Sequence, residues 1–171
     1  MDHPKRKNPR LAGYDYSTPG AYFVTVCTRD KRKTLSRISV GAIHESPAVQ
    51  LTPWGQAADE VIAHLPERFG IEIDQYVIMP NHIHLLLRIP LETERAIRES
   101  PLQKRALLPQ IVGYLKMNTS KRIHTQTSAA DPIFQRSYHD HIIRGDADYD
   151  KIACYIAENP AKWQEDCFYE P

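Results

Sequence analysis

The spacing of apolar residues changes several times along the chain, and each change marks an element. Tyr22 to Thr28 (YFVTVCT) is β-branched and aromatic and reads as a strand. Thr34 to Thr52 holds short apolar pieces broken by Gly41 and Pro47, a hairpin or loop excursion. Pro53 to Phe69 reads as a helix: Thr52 can cap it, Pro53 suits the first helical position, and Ala57, Val61, Ile62 and Leu65 share a face. Pro66 threatens to end that helix early. Ile71 to Met79 and Ile83 to Ile89 are apolar-rich strands separated by Pro80-Asn81, which reads as a hairpin. Leu102 to about His124 is helical in pattern, interrupted at Pro109, with Ile111, Leu115 and Ile123 on one side. Ile133 to Arg144 reads as a fourth strand. Gly145 breaks it, Asp146 can cap, and a last helix runs to about Asn159 before Pro160.

The predicted order is strand, helix, strand, strand, helix, strand, helix. Its first six elements match the split βαβ, ferredoxin-like arrangement, an α+β fold with an antiparallel sheet and helices on one face. Residues 1–20 read as a basic arm, 21–165 as one domain and 166–171 as a short tail. At 171 residues the chain suits a single domain able to bury a sizeable core. With 42% hydrophobic and 25% charged residues it is not a wholly disordered chain. No apolar run reaches about 18 residues and the N-terminus has no apolar h-region, which excludes a spanning helix and a secretory leader. Three cysteines without C-x-x-C spacing exclude a disulfide framework and fit the cytoplasm.

A net charge of +1 conceals a local imbalance. Lys5, Arg6, Lys7 and Arg10 crowd the first ten residues, and Lys104, Arg105, Lys116, Lys121 and Arg122 precede Asp131 with no acid among them. Acids gather instead near the end, at Asp146, Asp148, Asp150, Glu158, Glu165, Asp166 and Glu170. Two basic segments of this kind either line a surface facing a polyanion or form solvated faces.

His82-Ile83-His84 opens the second strand of the hairpin. On a strand the two imidazoles point the same way, with Cα atoms about 6–7 Å apart at about 3.3 Å per residue. They can converge on one metal ion, while Ile83, Leu85 and Leu87 face the helices. Eight histidines give about 0.4 His-x-His pairs by chance. The chain has a second, His139-Asp140-His141, so spacing alone is weak evidence. Two histidines with an oxygen ligand and open positions suit magnesium or manganese shared with a phosphate. Zinc would want more nitrogen or sulfur ligands.

On the last helix Tyr155 and Asn159 stand at i and i+4, on one face. Asn159 can be the missing oxygen ligand, and Tyr155 can attack phosphorus if a metal offsets its weakness as a nucleophile. Both can equally belong to a packing stripe with Ile152 and Ile156, and spacing does not choose Tyr155 over Tyr114, Tyr138 or Tyr149.

Taken together, YFVTVCTRDKR (22–32), IEIDQYVIMPNHIHLLLRIP (71–90), QIVGYLKMNTSKRI (110–123), IFQRSYHDHIIRGDADYDKI (133–152) and YIAENPAKW (155–163) resemble the single-tyrosine HUH transposases. The branch they most resemble is the REP-associated tyrosine transposases, domesticated relatives of insertion-sequence enzymes. The pieces cover about residues 20–164 in the right order. The resemblance implies an HUH endonuclease fold and makes His82 and His84 the metal pair, Asn159 a third ligand and Tyr155 the nucleophile. It leaves His139 and His141 outside the metal site and has Arg144 support the site or touch DNA. The implied activity is metal-dependent nicking and strand transfer of single-stranded, hairpin-containing DNA through a 5′-phosphotyrosine, with magnesium or manganese as cofactor. DNA would cross the open sheet face, guided by the basic helix. Homodimer and monomer are both open, and the monomer is favoured. Three readings compete: an inactive DNA-binding module on the same fold, a metal-dependent nuclease that uses water, and a zinc module built on both histidine pairs.

Overall fold

Tyr22, Val24 and Val26 alternate with Phe23, Thr25 and Cys27 along one strand, and this alternation divides the molecule into two faces. The computed structural model describes residues 14–39, 48–93, 106–127 and 131–169. Four antiparallel strands form the main sheet: β1 (Gly20–Cys27), β4 (Glu72–Ile78), β5 (His82–Ile89) and β6 (His139–Ile142), in the order β4-β5-β1-β6. A separate ribbon pairs β2 (Ser36–Ser39) with β3 (Ala48–Leu51), the excursion expected between Thr34 and Thr52. The helices are α1 (Pro53–Ala63), α2 (Leu65–Phe69), α3 (Leu107–Gln126) and α4 (Asp146–Glu158). The sheet order and the crossover through α1 are those of the ferredoxin-like split βαβ unit.

On one face, Tyr22, Val24, Val26, Ile83, Leu85, Leu87 and Ile89 meet Ala58, Val61 and Ile62 of α1 and Leu108, Ile111 and Leu115 of α3. Each large side chain fully buried here contributes roughly 1.5–3 kcal/mol. Gly55 lets α1 pass the ribbon, since a Cβ there would lie 2.0 Å from the Leu35 carbonyl oxygen. The two helices of the split unit therefore share a face, as expected. The last helix, which lies outside that unit, takes the other face: Ile152 and Ile156 of α4 pack on Leu86 with Phe23 and Val77. Leu86 is the reason, because an apolar residue on the outward side of a central strand needs a cover. Gly145, at φ 109°, makes the left-handed turn that sends α4 back across the sheet.

Element ends differ from expectation for local reasons. Thr52 caps α1 by accepting from the Gly55 N–H. The predicted 53–69 helix is two helices, because Pro66 cannot sit in a continuous helix but fits the first turn of α2. Pro109 does not interrupt α3; it lies in the first turn, where its missing N–H has no helical partner to lose. The fourth strand shortens to His139–Ile142, and upstream of it Phe134 makes only an isolated bridge to Thr28. Gly145, not Asp146, holds the N-cap position of α4. Among the described residues no helix is long and apolar enough to cross a membrane. The arm residues Lys5, Arg6, Lys7 and Arg10, with Lys104 and Arg105, lie outside the described residues.

Candidate active site

His82 and His84 leave β5 on the face opposite Ile83, Leu85 and Leu87, beside Cys27 and Thr25 of β1. Their ring centroids are 4.4 Å apart and both side chains are buried. Each imidazole is held through Nδ1: His82 lies 2.8 Å from Asn81 Oδ1, and His84 lies 2.9 Å from Thr25 Oγ1. His82 Nε2 is buried with no hydrogen-bond partner. Burial pushes the His82 pKa down to about 4, against the pull of the Asp166 carboxylate. Burial, then proximity to His82, holds His84 well below the usual histidine range. Both rings are thus neutral near pH 7, the state in which imidazole binds a metal.

Helix α4 supplies the next two groups. Its apolar anchors Ile152 and Ile156 seat it on the sheet and turn Tyr155 and Asn159 toward the histidines. The Tyr155 hydroxyl donates to Asp166 Oδ2 at 2.9 Å and lies 3.3 Å from His84 Nε2. Tyr155 is nevertheless 38% exposed, so its hydroxyl sits at a mouth and not in a sealed core. Burial, the hydrogen bond to Asp166 and that residue's charge together raise its pKa well above the ordinary tyrosine value. Asn159 is buried and donates Nδ2 to the same Asp166 Oδ2 at 2.6 Å, leaving its Oδ1 buried and without a partner.

Asp166 is the residue that sequence reasoning missed. After Pro160 the chain reverses through a short 3-10 turn (Trp163–Glu165) and brings the tail back over the histidines. Ligand-capable atoms of His82, His84 and Asp166 all lie within 4.8 Å of one another. Asp166 Oδ1 accepts the Phe168 N–H at 2.6 Å, and the Phe168 ring lies 4.7 Å from that of His82. The only signal in the sequence was an acid among aromatics soon after Asn159-Pro160. Beside Tyr155 the tail and α4 leave a cleft of about 390 Å³ lined by Lys151, Cys154, Glu158 and Lys162.

This donor set suits a divalent cation. It offers two neutral nitrogens, a carboxylate and an amide oxygen, and two of those atoms are buried acceptors with nothing to accept. The other predicted residues lie elsewhere. His139 and His141 share the sheet face but stand on edge strand β6, opposite Thr25 and Phe23, and both are exposed. His141 Nε2 is bonded to Asp148 Oδ2 at 2.8 Å. Lys116, Lys121 and Arg122 sit on α3, which covers the opposite face of the sheet. The basic helix therefore does not line the face that carries the histidines. Lys116 Nζ donates to the Gln135, Arg136 and Ser137 carbonyls, Arg122 pairs with Glu60, and Lys121 is exposed. Arg144 is exposed just before α4, its backbone N–H bonded to Asp148.

No protein-family model matches the chain. It is 32% identical to an uncharacterized protein of Haemophilus influenzae over 175 residues, 96% of this chain and 93% of that protein. It is 25% identical over 149 residues, 86% of this chain and 74% of the other, to a protein of the same organism described as a REP-associated tyrosine transposase. A solved REP-associated tyrosine transposase bound to a REP hairpin superposes with a TM-score of 0.62 at 21% identity, covering 90% of this chain and 74% of that one. The chain is thus similar to REP-associated tyrosine transposases in sequence and in fold. Its α+β architecture is the HUH fold of the solved transposase, and His82-Ile83-His84 opens a central strand of the sheet. At 21% identity the agreement lies in the fold, so the reading of the site rests on its own geometry.

Proposed function

We propose that this chain nicks single-stranded DNA and transfers the cut strand through a 5′-phosphotyrosine on Tyr155, as a mobile or domesticated transposase. One observation carries the reading: a partly exposed phenol ends 3.3 Å from His84 Nε2 and 2.9 Å from Asp166 Oδ2, on the cluster best suited to a cation. A tyrosine used only for packing has no need to place its hydroxyl there.

A divalent cation, Mg²⁺ or Mn²⁺, held by His82, His84 and oxygens of Asn159 or Asp166, would polarise the scissile phosphate and offset its developing charge. The protein's own groups do the rest. Burial keeps His82 and His84 deprotonated. Asn81 and Thr25 fix their rings. Tyr155 Oη forms the bond to phosphorus as the bond from phosphorus to the 3′ oxygen breaks in line. The phenol proton passes to Asp166 Oδ2, which already accepts it, and the departing 3′ oxygen takes a proton from water. One phosphodiester replaces another, so a second 3′-hydroxyl can reverse the step and join strands.

The hairpin in the solved relative supports hairpin-containing DNA as the substrate here as well. Since α3 lies behind the sheet, Lys121 and Arg122 would contact a stem or a strand passing round the sheet edge, away from the scissile phosphate. Arg144 is exposed just before α4, whose rise from Asp146 to Tyr155 is about 13 Å, and would meet DNA away from the scissile phosphate. All five groups of the site come from one chain, which supports action as a monomer. The test is covalent capture. With Mn²⁺ and an oligonucleotide from its own genomic flanks, the chain should give an SDS-stable adduct that Tyr155→Phe abolishes while leaving DNA binding within about twofold. An adduct that survives Tyr155→Phe assigns the chemistry to another residue.

A further inference from the structure

We infer that Asn81 is a positioning residue that sets the tautomer of His82 and so aims the Nε2 lone pair of that ring into the metal site, with the Phe168 carbonyl deciding which end of the Asn81 amide faces the imidazole. The inference rests on the proposed reading of His82 as a metal ligand.

Asn81 is completely buried. Its Nδ2 donates to the Phe168 carbonyl oxygen at 2.8 Å, and its Oδ1 lies 2.8 Å from His82 Nδ1. A carbonyl oxygen can only accept, so the amide nitrogen must face Phe168 and the amide oxygen must face His82. The reverse orientation would set two oxygens against each other. With an oxygen opposite it, Nδ1 of His82 must carry the proton, and Nε2 is left with a lone pair. Nε2 is the buried nitrogen that has no partner, and His82 is grouped with His84 and Asp166. A chain of two donated hydrogen bonds thus runs from the tail carbonyl through Asn81 to the imidazole and ends on an aimed acceptor. Orientation of a ligating histidine through its second nitrogen is worth 10–100-fold in metal affinity.

Asn81 also has a backbone duty: its carbonyl accepts from the Thr28 N–H at 2.9 Å and the Thr28 hydroxyl at 3.0 Å. Those bonds survive any side-chain substitution. A side chain that only packed the turn would affect stability and leave the tautomer alone, and this separates the two roles.

The test combines long-range ¹H–¹⁵N NMR of the histidine rings in the metal-free chain with Mn²⁺ titration followed by electron paramagnetic resonance. In the wild-type chain His82 should be the Nδ1–H tautomer. Asn81→Asp keeps the acceptor and should keep that tautomer, although it loses the bond to Phe168. Asn81→Ala should release His82 toward Nε2–H, leave the state of His84 unchanged and weaken Mn²⁺ binding 10–100-fold. Finding His82 as Nε2–H in the wild-type chain overturns the inference without need of any variant. So does an Asn81→Ala chain that keeps both the Nδ1–H form and Mn²⁺ affinity within twofold of wild type. If the tautomers follow Asn81 as stated but the wild-type chain takes up no Mn²⁺, the hold of Asn81 on His82 stands and the metal reading fails.

Discussion

His82-Ile83-His84 and His139-Asp140-His141 share a spacing and a sheet face, and they lie two strands apart. The first pair is on central strand β5, buried, with rings 4.4 Å apart and a carboxylate and a phenol drawn up to it. The second is on edge strand β6, exposed, with His141 bonded to Asp148 Oδ2 and 54% of that histidine's side chain in solvent. Identical spacing therefore supports two different chemistries, and burial separates them. A desolvated imidazole is neutral and keeps a lone pair for a cation, whereas one at the edge offers a hydrogen bond in water.

The largest expected difference between the pairs is in metal binding. His82→Ala with His84→Ala should weaken Mn²⁺ binding more than about a hundredfold, beyond the cost of losing an outer partner. His139→Ala with His141→Ala should change it less than about twofold; equal losses would break the comparison.

Acid stability should sharpen the contrast. His82 stays neutral in the folded chain down to about pH 4, while the unfolded chain takes up a proton near 6.5. Protons therefore favour unfolding as pH falls from 6.5 toward 4, and His82 withdraws up to about 3 kcal/mol over that window. His84, also depressed, acts in the same direction. Urea titrations of the metal-free chain across this range should show a steeper fall for wild type than for His82→Gln. Parallel curves would contradict the burial argument.

Asp166→Ala removes a candidate ligand and should weaken Mn²⁺ binding roughly tenfold, a loss of about 1.4 kcal/mol. Glu158→Ala, an acid whose carboxylate pairs with Lys162 at the surface, should leave that affinity unchanged. The smallest effect belongs to the edge pair: His141→Ala should cost no more than about 0.5 kcal/mol in thermal or urea unfolding, since its bond to Asp148 is exposed.

What was legible in the sequence follows the range of each signal. Strand alternation aligned His82 with His84, and the helical i, i+4 spacing aligned Tyr155 with Asn159, because both periodicities are local. The order of elements and the antiparallel hairpin were legible for the same reason. Asp166 was not, since its place depends on the tail reversing after Pro160 and reaching strand β5, a contact no local period encodes. Strand alternation did put the helices on the side of Ile83, Leu85 and Leu87, away from the histidines, but the expectation that the basic helix guides DNA across the histidine face did not follow from it. Charges on Lys116, Lys121 and Arg122 say which face of α3 is wet, but its apolar face decides which side of the sheet it covers. Lys116 shows the limit of reading charge alone, because its ammonium is spent on the carbonyls of Gln135, Arg136 and Ser137.

The claim on which all of this depends is that Tyr155 takes the phosphate. Cleavage after Lys151 and Lys162 releases the peptide Ile152–Lys162, in which Tyr155 is the one tyrosine. Mass spectrometry of the trapped DNA complex after trypsin should find a 5′-phosphonucleotide on that peptide. A modified Tyr138 or Tyr149, or free 5′-phosphate ends with no modified peptide, would contradict it.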